Sequence, residues 1–213
     1  MEFIEFFVSH GDEVLRLTGE HLALVGLSTA GAVLIGIPLG VGLARNPRWR
    51  SPVLGFVNVI QTIPSLALFA ILIPLPVIGG IGASTALIAL VLYSLLPVVS
   101  NTVAGLIGID PAVREAAVAM GMTDRQLLWK VELPLALGVI LTGVRVATVI
   151  GVGLATIAAA IGAGGLGMFI FRGLAMLDSR LILAGAIPAA AMALAADLIL
   201  GRIERHFGAR RTA

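Results

Sequence analysis

Residues 110–134 read D-P-A-V-R-E-A-A-V-A-M-G-M-T-D-R-Q-L-L-W-K-V-E-L-P, the one long interval in the middle of the chain that a lipid bilayer would reject. The interval holds seven of the 26 charged residues (14 basic and 12 acidic), and the sequence on both sides of it is strongly apolar. We therefore expect a loop held at a membrane surface. Such a loop either docks on another protein or folds into amphipathic helices for solubility alone, and residue physics leaves both interpretations open.

The composition is that of an integral membrane protein. Of the 213 residues, 59% are apolar and 12% charged, with a mean hydropathy of +1.07, whereas soluble domains have about 45–50% apolar and 25% charged residues. The length supplies about five spans of ~20 residues each. We predict an all-α membrane protein. The absence of cysteine excludes disulfides and thiolate metal sites, and a net charge of only +2 does not favour nucleic acid as a partner.

The first half of the chain predicts an arm and a small-residue helix. Residues 1–20 hold five acids against one arginine and are interpreted as an extracytoplasmic arm. Because this start lacks the basic region of a signal peptide, we expect the first span, about 21–44, to remain in the mature protein. Small residues recur every four positions from Ser28 to Ala44. This spacing favours a helix-packing seam over the alternative, a groove that faces substrate.

The remaining spans and the basic residues predict a topology. Further spans are expected at about 53–73, 84–105, 133–158 and 181–200, and 161–171 is interpreted as a re-entrant or half-helix segment. With the central loop inside, ten basic residues are cytoplasmic and three are external. This bias predicts an external N-terminus and a cytoplasmic C-terminus. Residues 21–200 would then form the transmembrane domain and 201–213 a basic cytoplasmic tail, whose arginines serve topology or contact anionic lipid.

Polar groups interrupt two of the predicted spans, 53–73 and 84–105. Q-T-I-P-S at 61–65 places polar groups and a free carbonyl at mid-membrane, where they must be buried in protein or line a wet cavity. The candidates for a solute pathway are Gln61, Ser65, Tyr93 and Asn101. Tyr93 could face a cation, although one tyrosine does not make an aromatic cage.

The glycine-rich segment G-A-G-G-L-G at 162–167 matches G-x-G-x-x-G but follows a long apolar helix, and no acid lies about 20 residues further on. We interpret it as an intramembrane break, either a gate hinge or a site of close packing. No P-loop motif is present, and the three histidines form no metal-binding pattern. We therefore expect this chain to bind no cofactor and no metal.

Arg145 is the clearest charge within a predicted span, about 16 Å from its start. Residues of this kind face the interior of a helix bundle or a wet cavity. Such a residue has either a functional role or a structural one. Because an arginine would repel a cationic solute, we favour a structural ion pair, for which Asp197 of the last span is a candidate partner.

The central loop carries local signals for two short helices. Asp110 and Pro111 predict a helix start, and Gly121 suits the left-handed residue that closes the helix. Thr123 and Gln126 fit a capping box for a second helix that runs through 133–134 into the membrane. In the first helix Glu115, Ala116 and Ala117 would present a small surface with one negative charge, which suits a groove on another protein.

The same residues resemble a known signature. Glu115-Ala116-Ala117, three residues, Gly121, nine residues, Val131, one residue and Leu133-Pro134 resemble the coupling loop of permease subunits in type I ABC importers, with valine where isoleucine is usual. Residues 58–70, 90–102 and 161–167 resemble the osmoprotectant branch, which imports glycine betaine, carnitine and choline. The resemblance implies the five-span core of that permease fold. It also implies ATPase-coupling roles for Glu115, Ala116, Ala117, Gly121, Leu133 and Pro134.

The resemblance implies partners as well. These are cytoplasmic ABC ATPase subunits that bind ATP and Mg²⁺, a second permease subunit in a homodimer or heterodimer, an extracytoplasmic substrate-binding protein, and membrane lipid. The location implied is the bacterial cell membrane. Three alternatives stay open: an importer of an amino acid or other small solute, a stand-alone secondary carrier, and a membrane scaffold that transports nothing.

Overall fold

The structure, a computed structural model, describes residues 10–75 and 79–208, and every regular element in these ranges is a helix. The all-α prediction is confirmed. The helices are α1 (Gly11–Arg45), α2 (Pro47–Thr62), α3 (Ser65–Leu72), α4 (Ala83–Ile107), α5 (Pro111–Ala119), α6 (Asp124–Leu127), α7 (Leu133–Ala158), α8 (Gly167–Met176) and α9 (Ser179–Gly208). A π-helical turn, Leu128–Glu132, joins α6 to α7, and a 3-10 turn, Ala159–Ile161, follows α7.

The described helices provide up to five membrane spans. Four are long and apolar enough to cross a bilayer, namely α1, α4, α9 and the continuous helix Asp124–Ile161 that contains α7. The fifth is the pair α2 and α3, which bends by 100° at residues 63–64. At ten residues, α8 is about 15 Å long, half the ~30 Å hydrocarbon thickness. It is therefore too short to span the bilayer, and it begins and ends later, at Gly167 and Met176, than the segment 161–171 predicted from the sequence.

The seam of small residues on α1 packs against α4. A Cβ atom on Gly36 would lie 2.8 Å from Val98 Cγ1, and one on Gly40 would lie 2.6 Å from Thr102 Cβ. Such separations leave no room for a side chain, so glycine permits the close approach of the two helices. The helix-packing interpretation of this seam is confirmed. Since α4 also packs against α7, α4 is the central helix of the bundle.

Two boundaries differ from the sequence prediction. Helix α1 starts at Gly11, so half of the predicted arm is helical and continuous with the first span. Its acids are tied to the region around α8, because Glu13 accepts from Arg172 at 2.6 Å and Glu20 accepts from the Gly165 N–H at 3.0 Å.

Helix α9 likewise continues through residues 201–208 of the predicted tail. The remainder of the arm (1–9), part of the predicted external turn (76–78) and the tail end (209–213) lie outside the described residues.

Candidate functional site

The two helices of the central loop begin at the predicted caps. Asp110 Oδ1 accepts a hydrogen bond from the Ala112 N–H at 2.9 Å, directly before α5. Thr123 Oγ1 accepts from the Gln126 N–H at 3.4 Å, and Gln126 Oε1 accepts from the Thr123 N–H at 2.9 Å. Each cap satisfies donors that a helix start leaves unpaired. The loop is therefore a folded unit and not a flexible connection.

Gly121 closes α5 in the left-handed conformation, with φ at +79°. Its N–H donates to the Val118 carbonyl at 2.9 Å, and the Met122 N–H donates to the Ala117 carbonyl at 3.2 Å. This pair of bonds is a Schellman motif, which reverses the chain sharply between α5 and α6.

Replacing Gly121 with alanine is expected to destabilise this turn by about 1–2 kcal/mol, because an L-residue is strained at positive φ. Apart from its own atoms and those of its two chain neighbours, no atom lies within 4 Å of the position of a Cβ at Gly121, so the substitution changes only the backbone strain. Gly121→Asn is the matched control, since asparagine tolerates this region better. Hydrogen exchange over residues 111–127 should accelerate in Gly121→Ala and much less in Gly121→Asn. Equal acceleration in both variants would contradict the assignment.

The second loop helix continues into the membrane without a break. Between α6 and α7 the Leu133 N–H donates to the Leu128 carbonyl, five residues earlier, in a π-helical turn. Pro134, the next residue, has no N–H to donate. Leu133 packs against a core cluster at the C-terminal end of α4, whereas Pro134 is exposed. The second loop helix and α7 therefore form one continuous helical segment.

The outer surface of α5 is exposed and partly apolar. Glu115 and Ala116 are exposed, and beside them Val118 is 58% and Met120 is 71% exposed. Ala117 is only 2% exposed and faces the protein. Of the two alanines predicted to form a small docking surface, Ala116 alone is exposed, and the buried Ala117 lets α5 lie close to the rest of the chain. A docking role for this surface stays a prediction.

A carboxylate fastens the loop to the ends of three spanning helices. Glu132, 8% exposed, accepts from Arg114 Nε at 2.8 Å and lies 3.5 Å from Arg45 Nη2. Arg114 also donates to the Leu106 carbonyl at the end of α4, and Arg45, the last residue of α1, donates to the Asp124 carbonyl at 3.2 Å. We call Arg45, Arg114 and Glu132 the loop clamp. It joins α5 to the C-terminal ends of α1 and α4 and to the N-terminal end of α7.

The polar break between α2 and α3 is satisfied by α4. Pro97 has no N–H for the Tyr93 carbonyl four residues earlier, and Gln61 Nε2 donates to that carbonyl at 2.8 Å. In return, the Tyr93 hydroxyl donates to the Ile63 carbonyl, which the break leaves outside the helix. The polar groups that the sequence places at mid-membrane therefore fix two backbone interruptions against each other.

Each proposed pathway residue now has a location. The Tyr93 ring is 7% exposed and belongs to the main core cluster, so it offers no open face to a cation in this conformation. Asn101 donates to the Pro97 carbonyl at 2.8 Å, and its Cβ would lie 2.7 Å from a Cβ on Gly143 of α7. Ser65 is partly exposed at the start of α3. A role in the solute pathway stays a prediction for all four residues.

Gln61→Leu is expected to destabilise the chain by about 1–3 kcal/mol, because it leaves the Tyr93 carbonyl without a donor. Pro97→Ala supplies an N–H to the same carbonyl, so Gln61→Leu should cost less in that background. The thermal unfolding midpoint of the four members of this double-mutant cycle is the measurement. Equal losses in the two backgrounds would show that the amide does not serve this carbonyl.

Arg145 lies in a network of charges between α7 and α9. Its guanidinium binds both carboxylate oxygens of Asp197, at 2.6 and 3.0 Å, and Glu204 at 3.2 Å. Thr142 donates to the other oxygen of Glu204 at 2.8 Å. The side chains of Arg145 and Asp197 remain 30% and 40% exposed. Because exposed charge within a span is not stable against hydrocarbon, this face belongs toward water or another protein.

The glycine-rich break after α7 packs against α1. A Cβ at Gly165, whose φ is +77°, would lie 3.1 Å from the Nδ1 atom of the fully buried His21. His21 Nε2 is also 3.1 Å from the Val152 carbonyl. The segment is a close-packed contact in this conformation, one of the two interpretations offered from the sequence. Within the described residues, no group of His, Asp or Glu side chains could hold a metal ion.

Comparison with known proteins identifies the family. Residues 32–212 match the family described as binding-protein-dependent transport system inner membrane component. The chain belongs to this family. It is thus an inner membrane permease, and the fold is that of type I ABC importer permeases.

Curated relatives of the permease come from Listeria, Bacillus and Salmonella. It is 44% identical to the carnitine transport permease protein OpuCD of Listeria monocytogenes, over 96% of this chain and 91% of the relative. It is 46% identical to the glycine betaine/carnitine/choline permease protein OpuCD of Bacillus subtilis, over 94% and 86%. It is 43% identical to the osmoprotectant import permease protein OsmW of Salmonella typhimurium, over 96% of both chains.

Solved structures agree on the fold. A chain of the MetNI methionine ABC transporter in inward-facing conformations matches with a TM-score of 0.82 and 26% identity, over 91% of the permease and 96% of that chain. A chain of an amino acid ABC transporter matches with a TM-score of 0.74 over 99% of both chains. At 21% identity, the second comparison supports the fold alone.

Sequence reasoning on the permease missed the loop clamp. Arg114 and Glu132 were visible only as charges in a polar loop, and Arg45 only as a topology signal. Their contacts join residues 18 and 87 positions apart along the chain, and no local pattern encodes such a pairing. The position of Glu132 directly before an apolar helix is the one signal in the sequence that points to a buried partner.

Proposed function

We propose that this permease forms one half of the translocation pathway of an ATP-driven importer of quaternary ammonium osmoprotectants. The observation that carries the proposal is the central loop: a folded, exposed unit whose clamp joins it to α1, α4 and α7. A loop built only for solubility would not require a buried carboxylate shared between two arginines. ATP hydrolysis outside the membrane can act on the spans through this loop.

In this mechanism the exposed side of α5 docks on a cytoplasmic ABC ATPase subunit. Glu115 and Ala116, with the apolar Val118 and Met120 beside them, provide the contact. The ATPase binds ATP and Mg²⁺, and closure of its dimer displaces the loop. Because the loop clamp holds the loop to the spans, the displacement becomes a movement of α1, α4 and α7 relative to a second permease subunit.

The class of solute is inferred from the relatives. Proteins at 43–46% identity are described as carnitine, glycine betaine, choline or osmoprotectant permeases. The exposed network of Arg145, Asp197 and Glu204 carries one net negative charge and lies within a span, so it supports a polar, water-facing or protein-facing side of α7 and α9. An extracytoplasmic binding protein delivers the solute. The loop and the C-terminus are cytoplasmic and the N-terminus is external, in keeping with the basic residues.

Uptake by reconstituted proteoliposomes tests the solute class. The permease, its co-purified ATPase and the binding protein are assayed with glycine betaine, carnitine, choline and a panel of amino acids that includes methionine. We expect ATP-dependent uptake of at least one quaternary ammonium solute. Uptake of amino acids alone would assign another cargo to the same machine.

Co-purification with the ATPase tests the docking surface separately. Glu115→Lys should lose the ATPase because it reverses the one charge of the exposed α5 surface, whereas Arg48→Gln, on the exposed surface of α2, should retain it. Gradient-driven uptake by the permease alone, without an ATPase, would contradict the proposal and favour a secondary carrier.

A further inference from the structure

Two adjoining hollows lie where the loop meets the inner end of α7, and both are lined by Trp129. The first, about 610 Å³, is apolar, with Ile37, Leu133, Leu137, Ile140 and Phe207 among its lining residues. The second, about 420 Å³, is polar and is lined by Thr123, Arg125, Gln126 and Lys130. Because the two hollows share Trp129, the basic, polar hollow adjoins the apolar one, and we call the pair the groove.

Helix geometry explains why the two hollows adjoin. The helix runs without interruption from Asp124 to Ile161, and positions three or four residues apart share one side of it. Along this side Gln126, Trp129 and Lys130 are followed by Leu133, Leu137 and Ile140. The change from polar to apolar residues occurs within about one turn, ~5 Å. Trp129 is 64% exposed at the transition, as is typical of aromatic residues at a membrane interface.

The charges at the polar end are not compensated within the described part of the chain. Arg125 and Lys130 form no ion pair there, whereas the nearby Glu132 is shared by Arg114 and Arg45. The exposed Asp124 is the one acid of the loop adjacent to this pair in sequence. In the capping box Gln126 uses its Oε1 atom, which leaves its amide N–H groups able to donate to an anion.

We propose that this groove binds an anionic phospholipid of the cytoplasmic leaflet. The phosphate lies between Arg125 and Lys130, within reach of the Gln126 amide, and an acyl chain follows Trp129 into the apolar hollow between α1, α7 and α9. The inference rests on the cytoplasmic position of the loop given under Proposed function. A phospholipid fits both ends of the groove, because its phosphate matches the basic, polar end and its acyl chain matches the apolar end. The apolar end is formed by residues of the spans, at a depth in the membrane that a soluble partner does not reach.

Lipid retention can be measured without solute, ATP or transport. The purified permease complex is reconstituted in nanodiscs of phosphatidylcholine with phosphatidylglycerol as the minor component. Lipids that remain bound after transfer to detergent are counted by native mass spectrometry. The wild type should retain phosphatidylglycerol in preference to phosphatidylcholine. In Arg125→Gln/Lys130→Gln this preference should fall about tenfold or more, since each basic residue near an anionic surface adds about fivefold.

Arg48→Gln/Arg202→Gln is the matched control. It removes the same charge from two exposed arginines that line neither hollow, and it should retain the preference. An equal loss in the control, or an unchanged preference in Arg125→Gln/Lys130→Gln, would overturn the proposal. Loss of the ATPase from Arg125→Gln/Lys130→Gln with full lipid preference would also overturn it, and would assign the two basic residues to the protein interface. A permease that transports none of the tested solutes can still pass this test.

Discussion

Glu132→Ala is expected to reduce solute transported per ATP hydrolysed by at least about tenfold, while the permease still assembles with its ATPase. The substitution leaves Arg114 and Arg45 without their shared carboxylate. Removal of a fully buried partner costs about 3–5 kcal/mol, and here the arginines are a third or more exposed, so about 1–3 kcal/mol is expected. That loss falls on the contact between loop and spans. The ATPase should therefore keep hydrolysing ATP, whereas the spans no longer move together with the loop.

Two further variants separate coupling from folding. Glu132→Gln keeps the size and the acceptor oxygen but loses the charge, so it should give an intermediate ratio of transport to hydrolysis. Asp124→Asn removes a carboxylate charge from the same loop at an exposed position outside the clamp, and it should resemble the wild type. If Glu132→Ala transports solute with the wild-type ratio, the clamp does not carry the motion.

Arg145→Met is expected to have the second large effect, seen as little assembled permease and a lower thermal unfolding midpoint. It leaves Asp197 and Glu204 close together within a span, with no cation between them. Two neighbouring carboxylates with no cation between them repel each other, and an unpaired charge in a span is costly.

A charge exchange gives the corresponding rescue. Arg145→Asp/Asp197→Arg restores one cation between two acids, so its yield and unfolding midpoint should recover part of the loss. Glu204→Gln is the milder comparison, because the bidentate contact of Arg145 with Asp197 remains. Normal assembly of Arg145→Met, with wild-type transport, would show that the network has neither a structural nor a mechanistic role.

The features predicted well from the sequence are those encoded within a few residues. The cap at Asp110, the left-handed Gly121 and the capping box of Thr123 and Gln126 each depend on one turn of backbone, and all three are present. The apolar spans follow from length against bilayer thickness. Composition and local geometry therefore determine most of the fold.

What the sequence left open depends on contacts between distant segments. Gln61 and Tyr93 read as pathway residues because polar groups at mid-membrane are costly. That cost is also removed if each side chain donates a hydrogen bond to a carbonyl on the other's helix, and this is what Gln61 and Tyr93 do. Ala117 shares a motif with Ala116 but faces inward, since the two lie 100° apart around a helix.

The central claim is that the loop and the spans it is clamped to move as one body when the ATPase closes. Because the chain contains no cysteine, spin labels can be placed at Gly42→Cys on α1 and Ala119→Cys on α5, both exposed positions. Electron–electron double resonance on a complex with one labelled permease subunit gives their separation. We predict the same distance distribution without nucleotide and with ATP trapped on the ATPase, and a broader one in Glu132→Ala. A shift between the two states of the wild type would contradict the account.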